Sequence, residues 1–212
     1  MATSHDLLVA VEAELARIGL LMQHDRELPS VTTLVAGEPI RGSWWGHARG
    51  RDIYELLTQF EHGAGALSLK LVNDKITYVH RALWPAFLTL SARAAESSQR
   101  TLSPHARALL QQVTAHGPTR LDELATAGFA PHKELTAAAR ELERALFLHA
   151  DSVHTSSGAH AKVLQAWPAW AAVALPSAAR PAESDARAEF EQAVARLTAG
   201  CRRTPRVPLL AH

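Results

Sequence analysis

The chain has 212 residues, of which 47% are hydrophobic and 20% charged, and its formal net charge at pH 7 is +1. This composition predicts an ordinary globular protein with room for one or two hydrophobic cores. The single cysteine, Cys201, excludes an internal disulfide and suits a reducing compartment, so we expect a cytoplasmic location. We expect no membrane partner, because the sequence contains neither a run of about 18 apolar residues nor a signal peptide. With a net charge near zero, any contact with a polyanion must depend on local patches.

The first half of the chain is predicted as a helical module with one β-hairpin, spanning residues 1–96. Its predicted elements, in chain order, are a helix over 4–18, an extended or looped segment over 25–43, a helix over 47–61, strands over 67–71 and 76–80, and a helix over 83–96. The polar residues 96–101 are the best candidate for a linker to the rest of the chain.

Three helical patterns followed by a β-ribbon occupy residues 103–165. The predicted elements are a helix over 104–116, a helix over 119–126, a helix over 131–146 and a ribbon that turns near 156–158. This order is typical of a winged helix, which commonly places its third helix in the major groove of DNA. We therefore predict a winged helix over residues 103–175. The module over 1–96 is a candidate for a decorated second one, since a helix feeding a two-stranded ribbon is the minimal part of such a fold.

The third helix of this pattern has two chemically distinct sides. At about 100° per residue, one narrow stripe is predicted to face the core, namely Leu135, Ala139, Leu142 and Leu146. The opposite side carries Lys133, Arg140 and Arg144 around Ala137. Cations and long donors are what a groove-reading helix needs for phosphates and base edges. The alternative is an ordinary solvated face, because the helix as a whole is neutral.

A second candidate for nucleic-acid contact is the segment 41–51, which contains no acidic residue. Its candidate binding residues are Arg41, Trp44, Trp45, His47, Arg49 and Arg51. Cations next to stackable rings can hold a phosphate backbone and an exposed base. Alternatively, the adjacent tryptophans fix a loop on a core and the arginines are solvated. Ser43 is a plausible N-cap of the following helix, which favours this structural interpretation.

The end of the chain is predicted as a C-terminal helix over 183–200 and a basic tail over 201–212, which we expect to be mobile. The tail contains Arg202, Arg203 and Arg206.

Motifs of common enzyme classes are absent from the sequence. There is no cysteine pair, His-Glu-x-x-His, phosphate-binding glycine loop, Gly-x-Ser-x-Gly or dinucleotide fingerprint. His149, His154 and His160 bracket the predicted ribbon, but their spacings have opposite strand parity and do not favour convergence on one ion. We therefore expect no metal site and no cofactor.

Two further segments carry a family resemblance. These are Leu21-Met22-Gln23-His24-Asp25 with Leu28-Pro29-Ser30-Val31, and the ribbon and helix over 67–90 ahead of the predicted winged helix. Over about residues 15–170 the chain resembles small bacterial proteins related to the AlkZ/YcaQ type of DNA glycosylase. Those enzymes are built from tandem winged helices and excise alkylated bases or unhook crosslinks.

The resemblance implies a catalytic pair at Gln23 and Asp25. The catalytic signature of those enzymes is a glutamine, a hydrophobic residue and then Gln or Asp, and His24 departs from it in the middle position. The chain also leaves no room for the enzymes' C-terminal barrel. In such an enzyme Asp25 would activate a water and stabilise cationic character on the sugar, while Gln23 would position the water. Alternatively, Asp25 caps the loop that follows it.

Together these patterns predict a mainly helical α+β protein with tandem winged-helix-like modules, short hairpins and a C-terminal helix. The function we expect is duplex DNA binding in DNA repair or gene regulation, without catalysis of its own. The alternatives are a reduced DNA glycosylase and a scaffold for protein interaction, with no particular protein partner indicated.

Overall fold

The structure, a computed structural model, describes residues 3–201 and 204–210, apart from 62, 64 and 155–159. Within these residues the protein is mainly helical and contains two three-stranded antiparallel sheets, which confirms the predicted α+β class. The chain divides into two compact units. The first comprises Met1–Phe87 with Pro181–His212, and the second comprises Leu88–Arg180.

The first unit begins with a helix and a short strand and builds its sheet from three strands. Its elements are α1 (Ser4–Ile18), β1 (Leu20–Met22), α2 (Val31–Ala36), α3 (Gly50–Glu61), β2 (Ala66–Lys70), β3 (Ile76–His80) and the start of α4 (Trp84–Ser98). The last strand is central, so the sheet order is β1-β3-β2. Val79 of β3 pairs with Leu20 on one side and Leu67 on the other.

Local sequence explains how these elements begin and end. A capping box between Thr3 and Asp6 starts α1. Gly19 ends α1 at φ 91°, where a Cβ atom would lie 2.9 Å from the Leu83 side chain. Ser30 caps α2 by accepting a hydrogen bond from the backbone N–H of Thr33 at 3.3 Å. The extended or looped conformation predicted over 25–43 is therefore wrong for the six residues of α2.

The second unit repeats the alternation of helices and strands. After the rest of α4 it contains α5 (Pro104–His116), β4 (Thr119–Arg120), α6 (Leu121–Thr126), α7 (His132–Arg144), β5 (Leu148–His154), β6 (His160–Ala166) and α8 (Trp167–Ala174). The three helices and the ribbon predicted here are confirmed, although the ribbon turn at 156–158 lies outside the described residues. The second helix, α6, begins two residues later than predicted, because Thr119 belongs to strand β4 and pairs with Leu164. The sheet order is β4-β6-β5.

Each unit has the same sequence of elements. A helix, a short strand, two helices and a two-stranded ribbon follow one another, and the second strand of the ribbon is central in the sheet. The core of the second unit joins α5, α6, α7 and the sheet through apolar side chains such as Leu109, Leu124 and Leu164. The corresponding core of the first unit joins α1, α2, α3 and β3.

The linker expected at 96–101 does not form, because α4 extends to Ser98 and a 3₁₀ turn follows it over Gln99–Thr101. Ser103 then caps α5 as predicted, accepting from the backbone N–H of Ala106 at 3.2 Å.

The C-terminal helix α9 (Glu183–Leu197) packs within the first unit. Phe190 is fully buried, with its ring centroid 6.5 Å from that of Phe87. The Arg196 Nε donates to the carbonyl of Ile18 at 2.9 Å. Helix α9 thus packs against α1 and the start of α4 within the first unit.

The predicted mobility of the tail is wrong for residues 204–210, because this stretch packs on the first unit. The backbone N–H of Arg206 donates to Asn73 Oδ1, and the N–H of Asn73 donates to the Arg206 carbonyl, each at 2.9 Å. Leu209 is 2% exposed. Arg202 and Arg203 lie outside the described residues.

Candidate nucleic-acid interface

Helix α7 has one buried and one exposed side. The predicted core stripe is confirmed, since its members are at most 2% exposed, namely Leu135, Ala139, Leu142 and Leu146. On the other side Lys133, Ala137, Arg140 and Arg144 are exposed. We call Lys133, Arg140 and Arg144 the α7 cations. They lie where a ligand from solvent can reach them.

The three glutamates of α7 are held by partners on other elements. Glu141 accepts hydrogen bonds from the backbone N–H and the hydroxyl of Ser103, both at 2.7 Å. Glu143 is ion-paired with Lys162 of β6. Glu134 lies 3.0 Å from the Nε2 of His105 on α5. The three carboxylates therefore make contacts within the unit, and two of their partners, Lys162 and His105, are basic side chains.

The β5–β6 ribbon follows α7 directly. Its seven-residue strands pair from Leu148 and Ala166 to His154 and His160. Of the histidines considered as metal ligands, the side chain of His154 lies outside the described residues. Among the residues that are described, no group of three or more His, Cys, Asp and Glu side chains is arranged to hold a metal ion.

The tryptophans of segment 41–51 have different environments. Trp44 is half-buried and packs against the core of the first unit, whereas Trp45 is 64% exposed. The two rings stack with centroids 4.2 Å apart, and Tyr54 of α3 lies 5.5 Å from Trp45. Ser43 precedes the 3₁₀ turn Trp44–Gly46 without a side-chain capping bond, so the predicted cap of a following helix is wrong.

Acidic neighbours engage most of the basic residues in this segment. Arg49 pairs with Asp52 and Arg51 with Glu55, the latter at 2.8 Å. His47 Nε2 lies 3.5 Å from Glu38. These acids follow or precede the segment in sequence and reduce its positive charge.

Gln23 and Asp25 make hydrogen bonds to different parts of the first unit. The Gln23 Nε2 donates to Glu61 and to the hydroxyl of Tyr78, both at 3.3 Å. The Tyr78 hydroxyl in turn donates to Glu61 at 2.7 Å. Burial, with the Glu61 carboxylate beside it, raises the pKa of Tyr78, so this phenol stays protonated. Sequence reasoning missed Glu61 and Tyr78, because they lie on α3 and β3, far from Gln23 along the chain.

Both carboxylate oxygens of Asp25 are occupied. Oδ1 accepts from the backbone N–H groups of Glu27 at 2.9 Å and Leu28 at 3.0 Å, and Oδ2 accepts from Lys75 Nζ at 2.7 Å. Burial acts to raise the pKa of Asp25, but Lys75 and the two N–H groups outweigh it and hold the pKa below its ordinary value. This arrangement orders the loop ahead of α2, and it disfavours proton uptake near neutral pH.

His24 and Asp25 line a cleft of about 650 Å³ and of mixed polarity in the first unit, together with Arg41 and Cys201, whereas Gln23 does not line it. His24 Nε2 lies 2.9 Å from the Gly42 carbonyl, and Nδ1 lies 2.9 Å from the Thr32 hydroxyl. Because a carbonyl only accepts, Nε2 carries a proton. The histidine ring therefore joins the loop before α2 to the segment that follows it.

Comparison with known protein families, curated proteins and solved structures finds no match for this chain. Every helix in the described part is too short or too polar to cross a lipid bilayer.

Proposed function

We propose that each unit is a winged helix and that the second unit binds duplex DNA through α7. The order of elements supports this proposal, because a first helix, a short strand, two further helices and a ribbon occur in both units. In both units the last strand of the ribbon is central in the sheet. Helix α7 is the third helix of its unit, the position that enters the major groove in proteins of this architecture.

The surface of α7 is the observation that carries the proposal. Its exposed side holds Lys133, Arg140 and Arg144, and its glutamates are engaged by Ser103, Lys162 and His105. Basic side chains on a groove-facing helix neutralise phosphates and reach base edges. A helix that is neutral by composition thus presents a positive face.

The first unit favours DNA binding without catalysis. Glycosylase chemistry would need a water held between Gln23 and Asp25. Instead, Gln23 is bonded to Glu61 and Tyr78, and Asp25 is bonded to Lys75. We infer that both residues stabilise the first unit.

The test is the affinity of the whole protein for a mixed-sequence duplex, measured by fluorescence anisotropy at low salt. The double variant Arg140→Ala/Arg144→Ala should raise Kd by about tenfold or more, since charge-assisted contacts are lost. Its melting temperature should be unchanged, because both side chains are exposed.

The matched control is Arg17→Ala/Arg93→Ala, which removes the same charge from two other helices. Both arginines form exposed pairs with a glutamate of their own helix, Glu14 and Glu96. We expect this control to bind as the native protein does. Equal affinities of native protein and α7 variant would exclude α7 from the interface, and absence of duplex binding by the native protein would favour a protein-interaction scaffold.

A further inference from the structure

A second concave site lies within the second unit and is distinct from the exposed side of α7. Helices α4 and α5, the turn after α7 and the start of α8 enclose a pocket of about 320 Å³. All of its lining residues belong to this unit. Pockets of this size are in the range that holds small molecules.

The pocket wall is chiefly apolar. Leu88, Leu146 and Trp167 form parts of it, and each of these residues is at most 5% exposed. The hydroxyl of Ser91, another lining residue, donates to the Leu88 carbonyl at 3.3 Å and is used within α4. An apolar or aromatic body suits such a wall, because its burial removes hydrocarbon surface from water.

One charged residue lines this pocket. Arg180, an exposed residue, is one of those that line it, and a guanidinium group pairs well with a carboxylate because it donates two parallel hydrogen bonds. The start of α8 lies at the same wall, where the aligned peptide dipoles of the helix place their positive end. Among the described residues that line the pocket, none is acidic.

We propose that this pocket binds a small apolar or aromatic carboxylate, with the hydrocarbon part against the apolar wall and the carboxylate on Arg180. This goes beyond DNA binding and does not depend on it. Neutral molecules of the same shape lose the charged contact, and cationic ones are repelled by the guanidinium group.

The test is titration calorimetry of the whole protein with 4-phenylbutyrate and with its uncharged counterpart 4-phenylbutan-1-ol. We expect the carboxylate to bind about tenfold more tightly, because a hydrogen bond to a charged group is lost in the alcohol. Arg180→Gln should remove this difference and leave the affinity for the alcohol unchanged. Arg93→Gln, an exposed arginine of α4 outside the pocket lining, is the control and should bind as the native protein does.

A second variant tests the location of the site. Ala92 lines the pocket and is exposed, so Ala92→Phe should occlude the space without disturbing the core. We expect it to abolish binding of both compounds, whereas Ala10→Phe on the exposed side of α1 should have no effect. Equal affinity for acid and alcohol, binding that survives Ala92→Phe, or absence of phenylbutyrate binding at millimolar concentration would each overturn the proposal.

Discussion

The third helices of the two units occupy the same place in the same order of elements but have different surfaces. Helices α3 and α7 each contain three acidic residues. In α3, Glu55 pairs with the exposed Arg51 of the same helix. In α7, Glu141 and Glu143 are bonded to Ser103 and Lys162 on other elements.

This difference shows that the charge composition of a helix does not determine the charge of its exposed side. The partners of the acids determine it. When acids pair with basic residues on the same exposed side, that side is close to neutral. When they are bonded to other elements of the unit, most of the charged side chains on the exposed side of the helix are basic. We therefore expect the first unit to use its polar and aromatic groups mainly for structure, and the second to use α7 for binding.

The largest expected effect concerns the stacked tryptophans of the first unit. Trp44→Ala should lower the free energy of unfolding by about 3 kcal/mol, since this ring packs against the core. Trp45→Ala should cost less than about 1 kcal/mol, because this ring is 64% exposed. Urea unfolding of both variants measures the difference. A larger loss for Trp45→Ala would show that the exposed ring, and not Trp44, fixes the segment.

The next effect concerns the Asp25–Lys75 ion pair of the first unit, in which the carboxylate is buried and the lysine side chain is half-exposed. Asp25→Asn should lower the free energy of unfolding by about 2 kcal/mol near neutral pH, because the charged contacts to Lys75 and the backbone are weakened. A carboxyl group with a lowered folded pKa stabilises the protein fully above its ordinary pKa and less as pH falls through the lowered one. The difference between native protein and variant should therefore shrink in acid.

Unfolding monitored by circular dichroism over a pH series measures this dependence. Asp151→Asn is the control, because Asp151 is exposed on β5 and its Oδ1 accepts from the backbone N–H of the next residue, Ser152. A constant difference between native protein and Asp25→Asn at all pH values would contradict the role given to the ion pair.

A smaller effect tests whether the glutamates of α7 hold this helix to the other elements of its unit. Glu141→Gln should lower the free energy of unfolding by about 1 kcal/mol, because the neutral amide keeps only one acceptor oxygen for the two bonds that Ser103 donates to the carboxylate. Glu123→Gln on α6 provides the control, since Glu123 is exposed and pairs with Arg120 at the surface. Thermal unfolding distinguishes the two variants, and equal stability would show that Glu141 does not anchor α7.

We expect the protein to excise no bases from DNA. The native protein incubated with DNA that carries 7-methylguanine should release no free base and leave no alkali-labile site, because Gln23 and Asp25 are engaged with separate partners. Chromatography of released bases measures this. Release that disappears in Asp25→Asn, with duplex binding retained, would establish glycosylase activity and contradict the assignment of the first unit to structure.

Sequence reasoning worked best in the second unit, where Ser103 marks the start of α5 and the apolar periodicity of α7 is clear. It missed β1 and β4, since strands of three and two residues are too short to show alternation and exist only through pairing with β3 and β6. It also missed α2, and without these elements the common order of the two units was not visible.

The candidate site was predictable only in part. Helical periodicity predicts that the α7 cations lie opposite the core stripe, and in the structure they are exposed while the stripe is buried. It does not reveal that Glu141 bonds to Ser103 or that Asp25 bonds to Lys75, because these partners are 38 and 50 residues apart along the chain. Such contacts are products of tertiary folding and carry no local signal.

The salt dependence of duplex binding tests the central comparison most directly. Anisotropy titrations over a salt series give the slope of log affinity against log salt for the native protein, Arg140→Ala/Arg144→Ala and Arg49→Ala/Arg51→Ala. We predict a slope about two units shallower for the α7 variant, since about one counterion is released for each basic residue at a phosphate. The variant in segment 41–51 should keep the native slope. A native slope in the α7 variant together with a shallower one in the 41–51 variant would place the DNA on the first unit and contradict the account.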